Sequence, residues 1–165
     1  MKPFRSRGDD VVARLDPAEA GIVGLLLDQL EQLLAADADD VGGDPVLARL
    51  LPEGHRGDPE LAADYRELTE ASLREGKAHD LATVRATLPD GGGEVRLDAD
   101  QAAAWLRSTN DLRLALGVRL DVTEETEPPE EMSGEEDHQL LVYYWLTALQ
   151  GSLVDALVDA RAGRR

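Results

Sequence analysis

Ala13-Arg14-Leu15-Asp16-Pro17-Ala18-Glu19-Ala20 (residues 13–20) and Glu94-Val95-Arg96-Leu97-Asp98-Ala99-Asp100-Gln101-Ala102 (residues 94–102) follow one plan. In each, Arg-Leu-Asp closes a short run of alternating character, and a Glu or Gln stands three residues after the Asp. An Asp side chain accepts from the free N–H groups of a helix start, and the Glu or Gln reaches back to the Asp N–H. Both stretches therefore read as a short strand feeding an Asp-capped helix. Pro17 suits the first helical position, and Glu19 adds negative charge to the first turn. The two strands can pair as a ribbon, which is marginal alone and needs helices packed on it.

Helices account for most of what lies around these two stretches. After Asp16 the apolar residues Ile22, Val23, Leu26, Leu30, Leu33 and Leu34 recur every three to four positions, one face of a helix running to about Ala36. Residues 37–43 form an acidic, glycine-containing break, Asp44-Pro45 starts a short helix to Leu51, and 52–58 is a loop. Asp58-Pro59 repeats the start signal for a third helix with Leu61, Tyr65, Leu68 and Ser72 on one face, then Leu81, Val84 and Leu88 beyond Gly76. Gly76 is expected to kink or split this segment, and Glu70 and Arg74 are spaced to pair on its exposed side. Pro89 to Gly93 is a turn.

A fourth helix over about 99–120 carries Trp105, Thr109, Leu112, Leu116 and Leu120 as its core stripe. Residues 121–137 contain nine carboxylates, no Lys or Arg, and the Pro128-Pro129 pair, so they read as a solvated, mobile loop. Ser133 with Glu136 has the spacing of a capping box for a last helix to about Ala160. Leu140 to Leu146 make that helix apolar nearly all round, which places it at the centre of a bundle or against a second subunit.

Composition supports a mainly α fold. The chain has 165 residues, 42% hydrophobic, yet only 4% are aromatic and Phe4 is the sole phenylalanine. The expectation is one domain over 1–165, a helical bundle of about four to five helices with a short two-stranded β ribbon and loose termini. There is no cysteine, which excludes disulfides, thiolate metal sites and Cys nucleophiles within these residues. No stretch reads as a signal peptide or as some 18 consecutive apolar residues, so a cytoplasmic location away from the membrane is the expectation. The formal charge of −17 argues against nucleic acid as partner. The basic clusters, Lys2, Arg5 and Arg7, and Arg161, Arg164 and Arg165, lie at the two termini.

No catalytic signature emerges. His55, His79 and His138 are far apart in sequence, and Glu135 with His138 is a lone Glu-x-x-His lacking the second pair that a di-iron bundle requires. Gly91-Gly92-Gly93 precedes a strand instead of following one, unlike a phosphate loop, and no Gly-x-Ser-x-Gly elbow occurs. The chain therefore reads as a non-enzyme with neither metal nor cofactor. One constellation stands out. Leu106, Asn110, Arg113 and Gly117 share a stripe beside that of Trp105, and Asn110, Arg113 and Gly117 form a candidate surface for a ligand carboxylate or a partner. The competing structural reading pairs Arg113 with a carboxylate on a neighbouring helix and Asn110 with loop backbone.

Residues 89–98, 105–121 and 143–153 together resemble the actinobacterial family called domain of unknown function 2017, with Asn110 to Gly117 (NDLRLALG) the most specific part. The resemblance implies no catalytic residue. It implies genes beside the Clp-protease adaptor and near sulfur metabolism, and for some members a transcriptional-regulator label. Three functions follow as expectations: a non-enzymatic interaction or adaptor protein linked to Clp-type proteolysis, a transcriptional regulator, or a small-molecule sensor using Asn110 and Arg113. A protein partner and self-association through the last helix belong to the first.

Overall fold

The computed structural model of the chain describes residues 2–36, 44–51 and 59–163, apart from the side chains of 2 and 59–69. The elements run β1 (Lys2–Arg7), β2 (Asp10–Leu15), α1 (Pro17–Ala35), α2 (Pro45–Leu50), α3 (Pro59–Thr87), β3 (Gly93–Leu97), α4 (Ala99–Arg119) and α5 (Glu135–Ala162). The fold is mainly α, with a three-stranded antiparallel sheet of order β1-β2-β3. Both strand-to-helix junctions form as the sequence implies. Asp16 accepts from the Glu19 N–H at 2.8 Å while Glu19 accepts from the Asp16 N–H at 2.9 Å. Asp98 and Gln101 make the same exchange at 2.8 and 3.0 Å.

The sheet exceeds the expected two-stranded ribbon because the N-terminus is not loose. Lys2–Arg7 is an edge strand that turns at Gly8, in the left-handed region at φ +65°, and pairs with β2 through Arg5↔Val12 and Arg7↔Asp10. The inward faces bury Phe4, Val11, Ala13, Leu15, Val95 and Leu97. Phe4 lies edge-on to Trp105 with ring centroids 5.8 Å apart, and its N–H donates to Ser152 Oγ on α5. A single buried aromatic therefore fixes the terminal strand. The turn before β3 packs on the first junction, since Gly92, at φ +89°, lies so close to the Asp16–Pro17 peptide that a Cβ would come within 2.8 Å of Asp16 C. A side chain there would overlap backbone in a conformation that L residues rarely adopt.

Three helix expectations change. The third helix is continuous through Gly76, whose surroundings are open, so flanking good helix formers carry the turn across. The last helix begins at the N-cap Gly134 without a side-chain cap; the Ser133 N–H and hydroxyl both donate to Asp137, not within a Ser133–Glu136 box. The central helix is α4, which packs on α1, α2, α3, α5 and two strands and buries Ala102, Trp105, Ser108, Thr109, Asp111, Leu112, Ala115 and Leu116. Helix α5 lies to one side, covered by β1 and α4 along Leu146, Leu149, Leu153, Ala156 and Ala160, while Leu141, Val154 and Val158 remain exposed.

Among the described residues one helix, α5, is long and apolar enough to cross a membrane by length and composition alone, a test that the core helix of a soluble protein also passes. The same helix carries Asp155, Asp159 and the face that closes on the sheet.

The expected loop over 121–137 is tied at its start. Helix α4 ends with Asp121 at φ +54°, its N–H donating to Val118 O while Val122 N–H donates to Gly117 O, and Tyr144 Oη donates to Thr126 O at 2.8 Å. The expected break at 37–43, the loop at 52–58 with His55, and Arg164 and Arg165 lie outside the described residues, as do the side chains of Leu61, Tyr65 and Leu68.

Candidate functional site

The stripe on α4 divides. Asn110 Oδ1 accepts from Arg113 Nη2 at 3.2 Å and from Gln150 Nε2 of α5 at 3.4 Å, so among the described residues these two meet each other and not a carboxylate or loop backbone. Gly117 meets an aromatic ring: a Cβ would lie 3.2 Å from Tyr143 Cε2, a tight contact that would need the ring to shift by a few tenths of an ångström. Arg113 and Gly117 border a cleft of about 360 Å³ with Arg49, Asp121 and Tyr143, whereas Leu106 borders a different one. Arg113 Nε is buried without an acceptor among the described residues. His138 Nδ1 contacts its own helix start at Gly134 O, 2.8 Å away, and no group of three His, Asp or Glu side chains among the described residues could hold a metal ion.

The N-terminal basic cluster joins the sheet. By register, Arg5, Val12 and Arg96 form one cross-strand row, and Arg14 and Glu94 pair in another. Arg96 reaches both Asp10 and Glu94 at 3.4 Å, and Arg7 reaches Glu94 at 4.0 Å, so acids within the sheet offset part of this charge.

Two features escaped the sequence reading. The first is a set of ion pairs between α3 and α4: Lys77 Nζ meets Asp111 Oδ2 at 2.8 Å, and Arg107 grips both oxygens of Asp80 at 2.8 and 2.9 Å. Burial pushes the Asp111 carboxyl above its ordinary value, opposed by Lys77 and reinforced by the nearby Asp80 charge. No local spacing marks the pair, because Asp111 lies off the stripe of Trp105, Thr109, Leu112, Leu116 and Leu120, and Lys77 is 34 residues away in the chain.

The second is a groove of about 1040 Å³ between α1 and the first turns of α5. Helix α1 faces the core with Val23, Leu27, Leu30 and Leu34, and turns Ile22, Leu25, Leu26 and Leu33 toward the groove. Leu141 and Val142 line the α5 wall. Leu25 is 58% exposed and Leu141 40%, on opposite walls. At one end the helices are held together by Trp145 Nε1, which donates to Glu19 at 3.0 Å, so the α1 capping box also fixes α5. The apolar periodicity of α1 gave the groove-facing residues to the same face as the core, which is why one broad stripe concealed two surfaces.

Helices packed about a three-stranded sheet, with an open apolar groove and an arginine-bordered cleft, define a mainly helical protein with a small sheet. The chain belongs to the actinobacterial family described as domain of unknown function (DUF2017), whose model matches residues 1–157. Among its relatives, the oxidative stress regulator AosR of Mycobacterium tuberculosis (strain ATCC 25618 / H37Rv) is 40% identical over 136 residues, covering 72% of this chain and 61% of the relative. The protein of that name from Mycobacterium bovis matches equally. A putative oxidative stress regulator AosR of Mycobacterium leprae is 33% identical over 174 residues, 89% of this chain and 78% of the relative. The chain thus spans 61% of the length of the first of these relatives. No solved structure matches.

Proposed function

We propose that this chain is a non-enzymatic regulatory protein that works by holding a protein partner. The observation that carries the reading is the α1–α5 groove, whose exposed Leu25 and Leu141 leave a contiguous apolar surface wet in the isolated chain. Exposed apolar patches of this kind mark interaction sites. The regulator names of its relatives support the same class. With no cysteine in these 165 residues, a response to oxidants within them proceeds without thiol chemistry, which favours a response received through a partner. A Clp-linked adaptor is one form of this role.

The test is affinity capture from native cytoplasmic extract with wild-type chain and with Leu25→Glu/Leu141→Glu. A protein captured by the wild type and lost from the groove variant supports the reading; protease components or a transcription factor would name the system. Identical captures, or self-copies alone, would overturn it and bring forward the small-molecule reading at Asn110 and Arg113. That second reading rests on the buried Arg113 Nε without an acceptor, and predicts that a small carboxylate raises the Tm.

A further inference from the structure

Resting on that reading of the groove, we infer that its occupant is an amphipathic helix of another protein, about four turns long, apolar along one stripe and basic at the end that meets the start of α5. The length follows from α1. Its groove-lining positions run from Ile22 to Ala36, a rise of about 21 Å at some 1.5 Å per residue. A trough walled by two helices accepts a third by inserting its apolar stripe, with anchors at i, i+3 or i+4, and i+7. Along this length α1 offers leucines and uncharged Gln29 and Gln32, so the middle of the occupant needs no charge.

Charge is concentrated at one end. Glu135 lines the groove where α5 begins, and Glu130, Glu131 and Glu136 stand within five residues of it, all exposed. The basic side chains lining the groove are engaged: Arg119 donates to Gln29 Oε1, and the His138 ring contacts Gly134 O. A basic end on the incoming helix is therefore steered to the acidic end of the groove, which fixes its polarity along α1. A second copy of this chain fits poorly by the same criterion, since each copy carries a formal charge of −17 and its own acidic segment.

The experiment uses the full chain and two labelled synthetic peptides of about four turns. They share one leucine stripe and differ only in carrying lysines or glutamates at one end. Fluorescence anisotropy should show the lysine peptide binding at least about tenfold more tightly than the glutamate peptide. Leu25→Glu/Leu141→Glu should abolish binding, and Glu130→Gln/Glu131→Gln/Glu135→Gln should weaken it and flatten its salt dependence. Equal binding of the two peptides, or lysine-peptide binding that survives the groove variant, overturns the inference, the latter because it reports only attraction to an acidic surface. Wild-type dimerisation in sedimentation that Leu25→Glu abolishes would assign the groove to a second copy and also overturn it. If neither peptide binds while native capture still depends on Leu25, the helical occupant falls and the regulatory reading stands.

Discussion

Between α3 and α4, Lys77 meets Asp111, Arg107 grips Asp80, and Trp105 Nε1 donates to Thr87 Oγ1 at 2.7 Å, so these polar groups find partners across the contact. Between α1 and α5, Trp145 Nε1 donates to Glu19 at one end, and beyond it the surface opens into the leucine-lined groove. The same chain closes one helix pair with ion pairs, Lys77–Asp111 largely buried and Arg107–Asp80 at the rim, and leaves another apolar and wet. Filling the second with larger side chains would be within easy reach of a sequence so rich in leucine. The contrast separates residues that hold the fold from residues available to something else, and substitutions on the two sides should behave differently.

The largest effect belongs on the closed side. Lys77→Met removes the cation from a pair whose side chains are 18% and 11% exposed and leaves Asp111 charged and buried. Breaking a buried pair in this way costs about 3 kcal/mol. Urea unfolding followed by circular dichroism would measure it, and a loss under about 1 kcal/mol would mean that the pair does not seal the contact. Thr87→Val comes next. It takes the acceptor from the Trp105 N–H, a group inside the core, for about 1–2 kcal/mol by the same measurement.

Asp111→Asn should have a smaller effect and the more telling pH dependence. Because burial raises the folded pKa of Asp111 above its unfolded value, its favourable contribution is present below the unfolded value and lost as pH rises through the folded one. At neutral pH the ionised carboxylate is therefore a cost, and the amide, still able to accept from Lys77, should lie within about 1 kcal/mol of wild type. Lowering the pH through the folded pKa of Asp111 should favour wild type over Asp111→Asn, because only the acid gains a proton. An advantage of wild type that instead grows with rising pH would show that Lys77 outweighs burial at this site.

The two strand-to-helix junctions were legible because their determinants are local: an Asp, a partner three residues on, and alternation before it. Strand β1 was legible in hindsight, since Phe4 alternates with polar neighbours and Gly8-Asp9 is a two-residue hairpin signal, but the arginines around it read as a terminal charge cluster. Ser133 misled because its spacing to Glu136 satisfies a motif while Asp137, one residue further, makes the bond. The central position assigned to α5 failed for a different reason. Apolarity all round a helix reports how much of it avoids water, and a helix with one face in the core and another in a groove shows the same pattern. Asn110 and Arg113 were correctly placed on one stripe, yet their mutual bond and the Tyr143 ring over Gly117 depend on α5, which no local spacing can place.

The smallest expected effect on stability is at the groove, and it tests the comparison most sharply. Leu25 is more than half exposed, so replacing it with Glu removes little buried surface, and α1 keeps a good helix former. Leu25→Glu should stay within about 0.5 kcal/mol of wild type in urea unfolding, while abolishing partner capture. Its neighbour in sequence, Leu26, is half-buried against the core, so the exposed position is the one that isolates binding from folding. A Leu25→Glu protein that loses stability as Lys77→Met does would mean that α1 and α5 close on each other in solution and that Leu25 belongs to the core. A protein that is fully stable and no longer captures its partner would show that the wet leucines serve binding and contribute nothing to the fold.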